Sequence, residues 1–246
     1  MDKEKNEFKS WKDLRIGITG ASGALGSSLA KDFREAGSYV IGLTSKKIDD
    51  IDMGISNLPH EWVKWQCGEE KNISNIIKSL DILILNHGIN YQGNQNNNSI
   101  INSIEINALS IFRFIELIES FSGLNSTTKR YREIWINTSE AEIQPALSPT
   151  YELSKRLIGQ IISIKMRKYI FKKNSNLKIR KIILGPFKSR LNPIGILNSE
   201  TVSKKIVKIG KQNSHLIIIT PNPITYLIIP INEYLRYLYY WLTEKI

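Results

Sequence analysis

Cysteine is nearly absent from this sequence. Cys67 is the only one among 246 residues, so no disulfide can form within the chain and a reducing compartment is the simplest setting. Its expected place is that of a small apolar side chain in the core. No apolar run reaches the roughly 20 residues that a membrane-spanning helix needs, and the segment Met1 to Glu7 is too polar for a signal peptide. The expectation is a cytoplasmic protein of one domain over residues 1–246, with contact to a membrane surface left open. No metal site is expected.

Acids are missing from one long stretch. Between Ser163 and Arg190 there are ten Lys or Arg residues and no Asp or Glu, in a chain of net charge +11. Such a stretch can attract an anionic surface or nucleic acid. No nucleic-acid motif accompanies it, and the expected reading is a solvated helix end and loop with no nucleic-acid partner.

What is present is a regular alternation. Strand-like runs at 14–19, 39–43, 62–66, 81–86, 132–138, 179–184 and 215–219 are separated by helix-like runs at 24–36, 72–79, 100–121, 150–172 and 201–210. Runs such as Ile82-Leu83-Ile84-Leu85 are continuously apolar, as expected of strands buried on both faces. The predicted fold is therefore α/β: a doubly wound, mostly parallel, Rossmann-like sheet. The Asn-rich segment Asn90 to Asn98 reads as a polar loop.

Two sites carry chemistry. Thr19-Gly20-Ala21-Ser22-Gly23-Ala24-Leu25-Gly26 follows the first strand and opens a helix, the setting in which backbone N–H groups hold a pyrophosphate. Gly20 allows the tight turn, Gly23 or Ala24 lets the diphosphate approach, and Gly26 lets the helix pack on the strand. Tyr151-Glu152-Leu153-Ser154-Lys155 places a phenol and an ammonium one helical turn apart. The second strand ends in Thr44-Ser45-Lys46-Lys47, with no carboxylate for a ribose 2′-hydroxyl. Hydroxyls and ammonium groups there suit a 2′-phosphate, so NADP(H) is preferred and NAD(H) is the alternative.

These motifs resemble the short-chain dehydrogenases/reductases, from about Leu14 to Pro223. Thr19 to Gly26 is similar to that family's TGxxx[AG]xG turn, with Ala24 at the position of its middle glycine. Asn86-His87-Gly88 is similar to its NAG motif, Tyr151 and Lys155 to its YxxxK pair, and Gly185-Pro186-Phe187 to its PG motif beside the nicotinamide. The resemblance implies a tetrad of Asn107, Ser139, Tyr151 and Lys155. In it Ser139 holds the substrate oxygen, Tyr151 exchanges a proton, Lys155 bonds the nicotinamide ribose, and Asn107 anchors a water that relays protons. Thr138, 13 positions before Tyr151 where Ser139 is 12 before, is the alternate hydroxyl. The implied cofactor contacts are the turn (Gly20, Ser22, Gly23, Ala24, Leu25, Gly26), Thr44, Ser45 and Lys46, then Asn86, His87 and Gly88, and finally Tyr151, Lys155, Gly185, Pro186 and Phe187. His87 is expected to line the adenine side or to satisfy a backbone group. A phenol ionises near pH 10, and an adjacent ammonium favours its charged form, which is the physical sense of the Tyr–Lys pairing.

More narrowly, Ile136 to Pro145 is similar to the dehydrogenase portion of cyanobacterial proteins that join a sterol desaturase to a short-chain dehydrogenase. The expected reaction is carbonyl–alcohol interconversion, with an apolar substrate suggested by Leu191 to Leu197. Two other readings stand beside it. Gly20-x-x-Gly23-x-x-Gly26 also fits nucleotide-sugar epimerases and dehydratases, though the stretch after Gly185 is short for their substrate domain. A redox sensor that binds NADP(H) without turnover would have no need of the Tyr151 acid.

The C-terminal part, residues 224–246, reads as an amphipathic aromatic tail. Beyond Pro230, a helical stripe of Ile231, Tyr234, Leu235, Leu238, Trp241 and Leu242 is expected to pack on a sister subunit or to touch lipid. The family resemblance implies a homo-oligomer. The tail leaves the last strand on the cofactor side while Lys178 to Lys181 enter at the other end, so the two are expected to lie apart.

Overall fold

A computed structural model describes residues 8–243, apart from 9, 57, 124–129 and 171–174. Seven strands, β1 Arg15–Thr19, β2 Tyr39–Thr44, β3 Glu61–Lys64, β4 Ile82–Leu85, β5 Arg132–Ser139, β6 Leu177–Leu184 and β7 Leu216–Ile219, form one sheet in the order β3-β2-β1-β4-β5-β6-β7. Every pairing is parallel. The order reverses between β1 and β4, and such a switch point opens a crevice at the carboxyl ends of the strands.

Helices cover both faces because a parallel sheet needs a crossover between neighbouring strands. In chain order they are α1 Ala24–Glu35, α2 Met53–Ser56, α3 Ser74–Ser79, α4 Asn97–Ile104, α5 Ser110–Ser122, α6 Pro149–Ile170, α7 Ser199–Gly210 and α8 Thr225–Thr243. One core packs α3, α5 and α6 on the sheet through residues such as Ile77, Phe114 and Ile162. The other packs α1 and α7 around Phe33, Trp135 and Ile206. Cys67 is half-buried against the first core, and burial pushes its thiol pKa up. A π-turn over Glu105–Leu109 interrupts the predicted helix at 100–121 and separates α4 from α5. The Asn-rich segment ends as a cap, since Asn96 accepts a hydrogen bond from Ser99 N at 2.8 Å.

The basic stretch departs from expectation. Lys178, Arg180 and Lys181 are buried within β6 rather than solvated. Arg180 makes a two-pronged contact with Glu133 of β5, at 2.6 and 3.0 Å. Lys181 meets Glu142 at 2.5 Å and Glu233 at 3.0 Å, and also bonds Gly159 O and Ser163 Oγ. The acids that neutralise these cations come from other elements, so the local absence of acid does not mean solvent exposure. Lys172 and Lys173 lie outside the described residues.

The tail departs from it too. α8 begins at Thr225 and runs through Pro230, and its buried residues are Thr225, Ile229 and Glu233. The predicted apolar stripe faces outward. The inward side carries the charges: Glu233 reaches Lys181, and Arg236 bonds Ser163 Oγ at 3.0 Å. Further along, Arg167 of α6 stacks on the Tyr240 ring at 4.8 Å. The tail therefore runs along α6 and touches the basic stretch, because a helix of 19 residues extends about 28 Å from the cofactor side toward the other end.

Candidate active site

The turn after β1 is shaped by its glycines. Gly20 has φ +64°, where a side chain is strained, and a Cβ at Gly26 would fall 2.2 Å from Gly20 O. The N-terminus of α1 has no side-chain cap and no acid in its first turn. Its backbone N–H groups thus present a positive end to an anion. Ser22, Gly23, Ala24 and Leu25 lie at that end. Across from it, the Ser22 and Thr44 hydroxyls are 3.1 Å apart, and Lys46 N donates to Thr44 Oγ1 at 3.2 Å. Ser45 and Lys46 are exposed beside them.

β4 ends in a knot of hydrogen bonds. Thr19 Oγ1 accepts from the backbone of Asn86 at 2.9 Å and meets His87 Nδ1 at 2.8 Å. Asn86 Oδ1 accepts from Asn137 Nδ2 at 2.9 Å, which ties β4 to β5. The His87 ring points into the core against Trp65 and Phe114. Burial, reinforced by the Lys155 charge, pushes its pKa from 6.5 to about 3, so it is neutral and donates no proton at physiological pH. Its backbone abuts Gly20 and its side chain meets the hydroxyl of Thr19, at the start of the same turn, rather than a backbone group.

Asn107 sits in the π-turn, fully buried. Its Oδ1 accepts from Ile89 N at 2.8 Å, and its Nδ2 donates to Ile89 O at 2.9 Å and to Ser154 Oγ at 2.9 Å. The amide is thereby used in fixing the chain after Gly88. A Cβ at Gly88 would lie 3.0 Å from Asn107 Oδ1 and 4.0 Å from Lys155 Nζ, so the bare glycine keeps this corner open.

α6 then delivers the phenol and the ammonium. Lys155 Nζ lies 5.4 Å from the Tyr151 ring centroid. Lys155 is 5% exposed, and among the described residues its ammonium has no hydrogen-bond or ion-pair partner. An ammonium so placed is available to the acceptors of a ligand.

Tyr151 opens into a cleft of about 670 Å³ together with Thr138, Ser139, Gly185, Pro186 and Phe187. Ser139 Oγ accepts from Ala141 N at 3.2 Å, while the Thr138 side chain is buried in β5. Gly185 is required where it stands, because a Cβ there would lie 2.3 Å from Thr220 Oγ1. The loop after it folds back on itself, with Pro186 O accepting from Ile196 N and Leu197 N.

Sequence reading missed the polar part of this cleft. Asn90, Glu140, Gln144 and Asn192 line it beside Leu147 and Ile194. Glu140 accepts from Thr225 Oγ1 at 2.5 Å, and Gln144 bonds both Thr225 and Asn222. The start of α8 thus fixes the loop that follows Ser139. The only available signal was local, the run of polar residues between Ser139 and Pro145, and the partners that give it shape lie near the other end of the chain. Among the described residues, no cluster of His, Cys, Asp or Glu is suited to a metal ion.

No protein-family model matches the chain. Monoglucosyldiacylglycerol epimerase of Synechocystis is 36% identical over 241 residues, 98% of this chain and 57% of that protein. The chain therefore spans little more than half the length of that curated relative. Among solved structures, a short chain dehydrogenase from Burkholderia cenocepacia in complex with NADP aligns with a TM-score of 0.71 at 14% identity, over 90% of this chain and 93% of that one. The 3-ketoacyl-(acyl-carrier-protein) reductase from Brucella melitensis, complexed with NADH, aligns with a TM-score of 0.69 at 15% identity, over 86% and 98%. Both solved structures share this chain's fold, and its motif order resembles that of the short-chain dehydrogenases/reductases.

Proposed function

We propose that the chain binds NADP(H) and interconverts an alcohol and a carbonyl on the sugar of a glycolipid, with Tyr151 moving the proton. The observation that carries this reading is the unpartnered Lys155 ammonium beside Tyr151, whose side chain lines the cleft. The free α1 terminus would hold the diphosphate, with Thr44, Ser45 and Lys46 at the 2′-phosphate. Lys155 would bond the nicotinamide ribose. Bound NADP(H) supplies the hydride exchange.

The chain's own residues supply the rest. Ser139, with Thr138 as the alternate, donates a hydrogen bond that orients the reacting oxygen. Tyr151 gives a proton to a carbonyl oxygen in reduction and takes one from a hydroxyl in oxidation. The Asn107 amide is spent on Ile89 and Ser154. Its contribution to a proton relay would therefore come through the main chain, since a π-turn leaves a carbonyl without its usual helical partner.

The cleft's mixed lining supports an amphiphilic substrate. Asn90, Glu140, Gln144 and Asn192 suit sugar hydroxyls, while Leu147, Leu191 and Ile194 suit an apolar tail. The Synechocystis relative favours epimerisation as the net reaction, because its identity to this chain extends over 98% of it. Epimerisation asks the same residues to act twice. Tyr151 takes the hydroxyl proton as the carbinol is oxidised and returns one as the carbonyl is reduced from its other face. The shortness of the stretch after Gly185 does not weigh against this, since the match to the relative already includes it.

The test uses the purified chain with NADP and monoglucosyldiacylglycerol in detergent micelles, followed by separation of the sugars released from the lipid. The expected product is the sugar epimer. An accumulating carbonyl lipid with stoichiometric NADPH would support simple oxidation instead. Tyr151→Phe should lower turnover by about 10²–10⁴-fold with dinucleotide binding unchanged. Turnover equal to wild type would overturn the assigned role of Tyr151.

A further inference from the structure

α8 is built inside out for a helix facing water. Its outward side presents Leu227, Ile231, Tyr234, Leu235, Leu238 and Leu242, each between 40 and 65% exposed. Between Thr225 and Thr243 the charged residues are Glu233 and Arg236. Both are tied inward, to Lys181 and to Ser163. A water-facing helix places its apolar stripe on the core and its charges outward. Here the arrangement is reversed, and the outward face carries no charge at all.

The start of α8 is tied to the loop that lines the mouth of the cleft. Gln144 bonds Thr225 and Asn222 at the start of α8. Leu147, three residues further along that loop, is 89% exposed, and Ile194 on the opposite rim is 74% exposed. Cations frame this apolar surface at both ends. Lys188 and Arg190 are exposed on the rim loop, and at the far end the Arg167 guanidinium stacks on the Tyr240 ring. An apolar strip framed by cations is the pattern that attracts anionic lipid.

A second copy of the chain fits less well. One exposed helix face about 28 Å long and about 10 Å wide offers roughly 300 Å², against the roughly 800 Å² per partner of a stable interface. We infer that the outward face of α8 and the apolar rim of the cleft dock on an anionic lipid surface, so that the cleft opens toward the bilayer. No helix among the described residues is long and apolar enough to cross a membrane, so the contact lies in the interface plane. The inference concerns where the protein sits and does not depend on the reaction proposed above.

The test is flotation of the full chain with vesicles of phosphatidylcholine alone and of phosphatidylcholine mixed with an equal amount of phosphatidylglycerol. Wild type should float with the mixed vesicles and more weakly with the neutral ones. The triple variant Leu227→Glu, Leu235→Glu, Leu238→Glu changes exposed positions to a good helix former and should bind the mixed vesicles about tenfold more weakly or worse. Independently, Trp241, 48% exposed, should shift its emission to the blue when mixed vesicles are added, a shift lost in Trp241→Phe. Wild type that floats with neither vesicle, a triple variant that floats as wild type does, or an unshifted Trp241 would overturn the inference. A wild-type dimer that the triple variant converts to monomer in vesicle-free buffer would do so as well, by assigning the face to a second copy.

Discussion

The two sides of the cleft are held together by different physics. On the β1–β2 side, the turn and strand ends rely on backbone and hydroxyls: Gly20 at positive φ, the uncapped α1 terminus, and the Ser22–Thr44 contact. The cations there, such as Lys46, are exposed. On the β5–β6–α8 side the cations are inside, with Arg180 on Glu133 and Lys181 on Glu142 and Glu233. Lys46 is free to meet a ligand; Lys181 is part of the fold. Net charge alone cannot tell these two uses apart.

The largest break in this comparison should come from Lys181→Met. Removing Lys181 leaves the buried Glu142 carboxylate without its cation, while Glu233 keeps Arg236 at 3.2 Å, and should cost about 3–5 kcal/mol, read from urea unfolding. Burial already pushes the Glu142 carboxyl above the usual range against the pull of Lys181, so the variant should take up protons at a higher pH than wild type. A loss below about 1 kcal/mol would mean that the cluster is solvated and that the contrast between the two sides is wrong.

A smaller effect should come from His87, which sits between the two sides. Its folded pKa of about 3 lies below the unfolded 6.5. The stability it contributes is therefore complete above pH 6.5 and is lost as pH falls toward about 3. Between about pH 6.5 and 5 this amounts to roughly 1.4 kcal/mol per pH unit. Burial lowers the pKa of His60 and His215 too, so the comparison is with His87→Asn, which should flatten the slope by about one proton. An unchanged slope would place the His87 ring in water.

The smallest effect on folding should come from Lys46→Ala. Stability should stay within about 0.5 kcal/mol of wild type, as for an exposed residue, while NADPH affinity falls by up to about tenfold and NADH affinity is unchanged. Equal loss of both would point to a general contact with the dinucleotide rather than one with the 2′-phosphate.

What was legible in the sequence divides along the same line. The strands and the Gly20–Gly26 turn could be read because their signals are local: apolar runs for strands buried on both faces, and glycines where a side chain cannot fit. Tyr151 and Lys155 could be paired because one helical turn fixes their spacing. The fate of Arg180 and Lys181 could not be read, because Glu133 reaches them from β5, Glu142 from the turn after it, and Glu233 from α8. The stripe from Ile231 to Leu242 was visible as a helical period, yet periodicity gives no direction. Which side faces inward was decided by Glu233 meeting Lys181. His87 looked like a site residue because of its chemistry, and its burial against Trp65 and Phe114 depends on packing that no local pattern encodes.

The most direct measurement is a titration of the purified chain with NADPH and with NADH, followed through quenching of its five tryptophans. The account predicts that both bind and that NADPH binds about tenfold more tightly, roughly 1.4 kcal/mol. If neither dinucleotide binds, the reading of this cleft as an NADP(H)-dependent active site is wrong.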